Sequence, residues 1–147
     1  MLFNYDMTDT TEPNKKPQIT EIESWDQLDI DPLILRGIYA YGFENPSPIQ
    51  KKAIIPMTNK QDIIAQAQSG TGKTGCFTIG TLDAIDTTKN EVQAMILSPT
   101  RELSQQTKSV IDSLGVFMKG LKTQLLIGGT STDECIKQLQ DNTPHVV

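Results

Sequence analysis

The run "DIIAQAQSGTGKTGCFTIG", Asp62 to Gly80, passes from a short apolar segment through a glycine-rich turn into an amphipathic segment. A short apolar run that ends on glycines predicts a buried strand over 62–67, and the run after it predicts a helix from about Lys73 to Ile85. A strand, a glycine turn and a helix in that order make a cradle for phosphate. Successive backbone N–H groups replace water around the anion, and the helix N-terminus adds its positive end. Gly70 and Gly72 supply the bend. Lys73 reaches phosphate oxygens as a point charge, and the Thr74 hydroxyl is placed to ligate Mg²⁺. Lys73 and Thr74 are therefore the candidate catalytic pair, and Ala67, Gln68, Ser69, Gly70, Thr71, Gly72, Lys73 and Thr74 form the candidate nucleotide loop. The usual G-x-x-x-x-G-K-[ST] pattern opens on glycine where this chain has Ala67. A methyl is tolerable there if its φ is negative.

Working outward, the same alternation repeats. "VQAMILSP" (92–99) predicts a second buried strand, followed by a helix capped by Thr100 with a stripe of Leu103, Val110, Ile111, Leu114, Phe117 and Met118. "TQLLIGG" (123–129) predicts a third strand, and Ser131 with Glu134 a capping box before "TDECIKQLQD". Upstream, Asp31 and Pro32 open a helix whose apolar face groups Leu33, Ile34, Ile38 and Tyr41, and Gly42 ends its turn. Ser47 and Pro48 open a second helix, which Pro56 is expected to stop. Alternating strands and helices predict an α/β domain with a parallel sheet covered on both faces. Residues 1–22, poor in apolar positions, read as a mobile tail, and 23–147 as one nucleotide-binding domain. The final "HVV" reads as a strand cut short, so the chain is taken as part of a longer protein.

Composition narrows the classes. The 147 residues carry 13 basic and 18 acidic groups, a net charge of -5. Bulk electrostatics of that sign will not hold a nucleic acid, so any polyanion must be met by a local arrangement. Cys76 and Cys135 lie far apart, with His145 as the one histidine, which argues against a zinc site or a disulfide scaffold. His145 is expected to be structural or exposed. No apolar run reaches the length of a membrane span, and "MLFNYDM" does not read as a signal peptide.

"GFENPSPIQ" (42–50), "AQSGTGKT" (67–74) and "SPTREL" (98–103) together resemble the amino-terminal half of a DEAD-box RNA helicase, over roughly Trp25 to Val147. The resemblance implies an incomplete RecA-like P-loop NTPase domain with ATP and Mg²⁺ as ligands. It implies that Gln50 pairs with the adenine edge, that Phe43 stacks on the base, that Ser47 supports the loop, and that Trp25 stands for an upstream aromatic. An amide donates and accepts at once, which suits the N6/N7 edge of adenine. Pro99, Thr100, Arg101, Gly128 and Gly129 are the implied contacts to the RNA backbone. The Asp-Glu-Ala-Asp carboxylates and the arginine finger would come from residues outside these 147, so this chain alone is expected to hydrolyse little ATP. The resemblance further implies a cytoplasmic, monomeric enzyme that unwinds short RNA duplexes without sequence preference, in translation initiation with its scaffold proteins. Two other readings stay open: an ATP-gated RNA clamp without unwinding, and a different P-loop enzyme such as a GTPase. The guanine-reading Asn-Lys-x-Asp pattern is not read in "TNKQD".

Overall fold

Helix starts follow the side chains that cap them. In the computed structural model, which describes residues 21–147, α1 (Pro32–Ala40) begins where the Asp31 carboxylate accepts from the Leu33 N–H at 2.7 Å. Thr100 accepts from the Leu103 N–H at 3.3 Å to open α4 (Arg101–Leu114), and Ser131 accepts from the Glu134 N–H at 3.4 Å to open α5 (Thr132–Asp141). At α2 (Pro48–Thr58) the Ser47 N–H donates to Gln50 Oε1 at 2.7 Å. α3 (Lys73–Asp83) starts without a polar cap, on Gly72 at φ 94°, a left-handed value that glycine adopts without steric penalty. A 3₁₀ turn, Trp25–Gln27, precedes α1.

α2 packs on α3, α3 on α4, and α1 against both α3 and α4. Ile34 and Ile38 of α1, Ile54 of α2, Ile79 and Leu82 of α3 and Leu114 of α4 are fully or nearly fully enclosed, and Trp25 seals one end. α1 crosses α4 so closely that a Cβ on Gly37 would lie 1.8 Å from the Leu114 carbonyl oxygen. The Arg36 guanidinium lies over the Phe117 ring, 4.0 Å from its centroid, beside that crossing.

The parallel sheet is present only as short bridges. Val146 bridges Ala94 on one side and Thr123 on the other, both parallel. The Ile96 N–H donates to Val147 O at 2.8 Å and the Gln124 N–H to Val146 O at 2.9 Å, so the terminal "HVV" sits between the two other segments. The strand expected over 62–67 lies in no ladder, and Ile64 is 66% exposed instead of buried. An apolar run specifies a strand only when neighbours supply both its hydrogen bonds and its cover. Segments 92–99 and 123–129 are likewise held at single bridges rather than along their length.

Four further expectations need correction. Pro56 does not stop α2, which continues to Thr58. The ring removes one donor near the end of the helix, and Asn59 N–H to Ile55 O at 3.0 Å closes the next turn. Leu33 and Tyr41 are exposed while Gly37 joins Ile34 and Ile38 in the buried face of α1. In α4 Leu103 is exposed and Thr107 takes the buried place on the stripe. Ile22, assigned to the tail, is fully buried and its N–H donates to Lys51 O at 3.1 Å. The rest of the tail, 1–20, lies outside the described residues.

Burial also separates the two thiols. Cys76 is enclosed in α3 and burial pushes its thiol up to about 11, whereas Cys135 is half-buried. A thiol that titrates near 11 is thiolate in about one molecule in a thousand at pH 8, and only the thiolate alkylates. Iodoacetamide at pH 8 is expected to label Cys135 first, with Cys76 reacting only on unfolding. Mass spectrometry of the peptides checks this, and equal labelling of the folded chain would contradict the burial.

Candidate nucleotide and RNA site

The loop between Ala67 and Thr74 is tied up through its carbonyl oxygens. The Lys73 ammonium donates to Ala67 O and to Gln68 O, the latter at 2.6 Å, and Thr71 Oγ1 donates to Gln68 O at 2.7 Å. Gly70 and Gly72 turn at φ 78° and 94°. Lys60 is the one non-glycine residue with positive φ among the described residues, so the Ala67 methyl is accommodated without strain. With the carbonyls drawn onto Lys73 and Thr71, the first N–H groups of α3 remain as donors that no intrahelical acceptor can reach. This is the electrostatic condition for an anion at a helix start. The glycine turn, the half-buried lysine and Thr74 in the first turn of α3 fit a triphosphate with its cation.

α2 is fastened to this loop by two of its side chains. Ser47 Oγ donates to Thr71 O at 2.8 Å, and Gln50 Nε2 donates to Gly72 O at 3.1 Å while its Oε1 accepts from the Ser47 N–H. Gln50 is 3% exposed, which puts its amide inside the protein against the loop rather than on a solvated helix face. Its second amide hydrogen and second oxygen lone pair remain for a ligand. Phe43 is half-buried, stacked on Trp25 with ring centroids 6.2 Å apart at 19°, and met edge-on by Tyr41 at 4.8 Å and 78°. The ring also presses on Gly75 of α3, where a Cβ would lie 2.6 Å from Cε2.

The other group of candidates also comes together. Thr100 caps α4 at the end of segment 92–99, with Pro99 and Thr100 both exposed. The Arg101 guanidinium lies over the Gly128–Gly129 turn, with Nη2 3.3 Å from where a Cβ on Gly128 would sit and Nη1 3.4 Å from one on Gly129. Gly129 turns at φ 96°. A glycine pair lets the planar cation approach the backbone, so a helix start, an arginine and a backbone turn share one exposed patch.

Several neighbouring groups are committed elsewhere. Lys51 pairs with Glu23, Lys52 with Glu21 at 3.8 Å, and Lys122 Nζ donates to Asn90 Oδ1 at 3.1 Å. His145 is 1% exposed and its Nδ1 accepts from the Lys122 N–H at 3.0 Å, so it is structural, standing in for a backbone carbonyl. Asn59–Asp62 does have the Asn-Lys-x-Asp spacing, contrary to the discount of "TNKQD". There Asn59 is the C-cap of α2 and Lys60 turns at φ 59°. The segment 62–67 separates this exposed turn from the loop. A residue packed against Phe43 and Gln50 that sequence reasoning did not single out is Gly75. Its signal was a glycine inside a helix, which costs about 1 kcal/mol relative to alanine unless a close approach requires it.

Comparison with known proteins bears on the family and the fold. The family model described as DEAD/DEAH box helicase matches residues 47–147. The chain is 53% identical over 125 residues to the "ATP-dependent RNA helicase eIF4A" of Aspergillus clavatus, covering 85% of this chain and 31% of that protein. The protein of the same name from Pyricularia oryzae is 51% identical over 126 residues, again covering 31% of its length. The chain thus spans about a third of these relatives. Among solved structures, a DEAD box protein from the hyperthermophile Methanococcus jannaschii superposes with a TM-score of 0.80 at 35% identity, covering 86% of this chain and 34% of that one. Dbp5 of S. cerevisiae, bound to RNA and ADP BeF3, gives 0.68 at 33% identity, covering 86% of this chain and 32% of that one. The fold is the RecA-like α/β domain of those neighbours, in which the bridges at Val146 are the parallel sheet of this chain. With a glycine cradle fastened to α2, a capped arginine over a glycine turn, and matches of this extent, the chain belongs to the DEAD/DEAH box helicase family.

Proposed function

We propose that this chain forms the ATP- and RNA-binding part of an ATP-dependent RNA helicase. The observation that carries the reading is the pair of bonds from Ser47 and Gln50 to Thr71 O and Gly72 O, which join the segment 42–50 to the phosphate loop. A base held beside Gln50 and Phe43 would be in register with phosphates over Lys73, and the Thr74 hydroxyl would hold the Mg²⁺ that accompanies them. Mg²⁺ would neutralise phosphate charge. The second cluster, Pro99, Thr100 and Arg101 with Gly128 and Gly129, is the proposed contact to RNA sugar and phosphate, which carries no sequence information. Unwinding of short duplexes and a place in cytoplasmic translation initiation, with its scaffold proteins, belong to the same proposal. They rest on likeness to the relatives called eIF4A.

Competition binding tests it. With a fluorescent ADP and Mg²⁺, ATP is expected to displace the probe at least about tenfold more strongly than GTP, the discrimination one well-made base-edge pairing supplies. Equal displacement by GTP would overturn the adenine reading and return attention to Asn59–Asp62.

A further inference from the structure

Gly75 is the third residue of α3, where alanine would favour the helix, yet it is buried against two of the proposed base-binding side chains. A Cβ there would stand 2.6 Å from Phe43 Cε2, 2.9 Å from Cζ and 3.0 Å from Gln50 Nε2. Carbon atoms in contact settle near 3.5–4.0 Å, so a methyl would have to drive the ring back by roughly 1 Å. Any such shift disturbs two further ring contacts, since Trp25, itself fully buried, stacks on Phe43 at 6.2 Å between centroids and Tyr41 meets it at 4.8 Å and 78°.

We infer that Gly75 is a positioning residue: its missing side chain sets where the Phe43 ring and the Gln50 amide stand over the first turn of α3, and so tunes affinity for the base rather than for the phosphates. The inference rests on the adenine reading above. Gly75 presents no group to a ligand; it acts through Phe43 and Gln50. Its neighbours in the chain, Lys73 and Thr74, face the phosphates, so one turn of α3 would carry separate settings for the two ends of the nucleotide.

The test compares Mg·ADP with inorganic tripolyphosphate, which has phosphates and no base, on the wild-type chain and on Gly75→Ala, Phe43→Leu and the double variant. Gly75→Ala is expected to weaken Mg·ADP by about tenfold, the size of effect when one base–aromatic stack is disturbed, and to leave tripolyphosphate within about twofold. Phe43→Leu removes the ring that the methyl meets, so adding Gly75→Ala to it is expected to change Mg·ADP binding by less than about twofold. Equal loss of both ligands in Gly75→Ala, no loss of either, or full additivity in the double variant would each overturn the inference. If Gly75→Ala alone does not fold, the double variant is compared with Phe43→Leu alone, and a further loss of Mg·ADP binding beyond about twofold overturns the inference. A wild-type chain that binds tripolyphosphate but not Mg·ADP would sink the adenine reading itself, a result distinct from all of these.

Discussion

Lys73→Ala should reduce Mg·ADP and Mg·ATP binding by at least about a hundredfold, since removing the charge from a half-buried ion contact costs about 2–5 kcal/mol. The lysine is the one cation on the loop, and its ammonium already lies against Ala67 O and Gln68 O. Those bonds would keep two carbonyl oxygens from facing phosphates bound as proposed. Their loss therefore acts twice: the attracting charge goes, and two partial negative charges are freed beside the anion. Isothermal titration measures the affinity, and a thermal melt serves as the control. The melting temperature without nucleotide should move by only a few degrees, because the bonds lost are partly exposed. A variant with unchanged affinity would show that the phosphates do not sit at this loop.

Gly37→Ala is the second large effect, and it concerns the fold. The new Cβ would stand 1.8 Å from Leu114 O and 2.9 Å from its carbonyl carbon, atoms of a backbone that cannot swing aside like a side chain. Overpacking typically costs about 1–3 kcal/mol and more when backbone must move. The favourable helix propensity of alanine returns only about 1 kcal/mol. Separation of α1 from α4 would also pull Arg36 off the Phe117 ring. A fall in melting temperature of roughly 10 °C is expected, about 3 kcal/mol for a domain of this size. Circular dichroism follows the transition. A melt within 2 °C of wild type, outside the roughly 10 °C expected, would mean the two helices do not cross as described.

What could be read from the sequence was what is decided locally. Asp31, Thr100 and Ser131 announced helix starts because a cap is a bond between a side chain and the next turn, and at Ser47 the bond runs back from the Gln50 side chain to its N–H. The phosphate loop was legible for the same reason, as was the grouping of Ser47 and Gln50 with it through family likeness. Contacts across long separations were not. Nothing in the letters places Val146 between Ala94 and Thr123, or brings Arg101 to Gly128, because such pairings depend on how distant segments stack. Periodicity gave the faces of α1 and α4 but not their width, so Leu33, Tyr41 and Leu103 were assigned to the interior while Gly37 and Thr107 hold those places. Pro56 was over-read, since a ring near the end of a helix removes a single bond.

The fastening of α2 to the loop has a dynamic corollary. Thr71 and Gly72 are held by side chains 24 and 22 positions earlier, so loop fluctuation would have to break or strain bonds that also anchor the first turn of α2. A glycine-rich segment left to itself would sample many shapes on the nanosecond scale and lose entropy on meeting a ligand. Here much of that disorder has already been surrendered in folding, and a nucleotide would arrive at a rim half set for it.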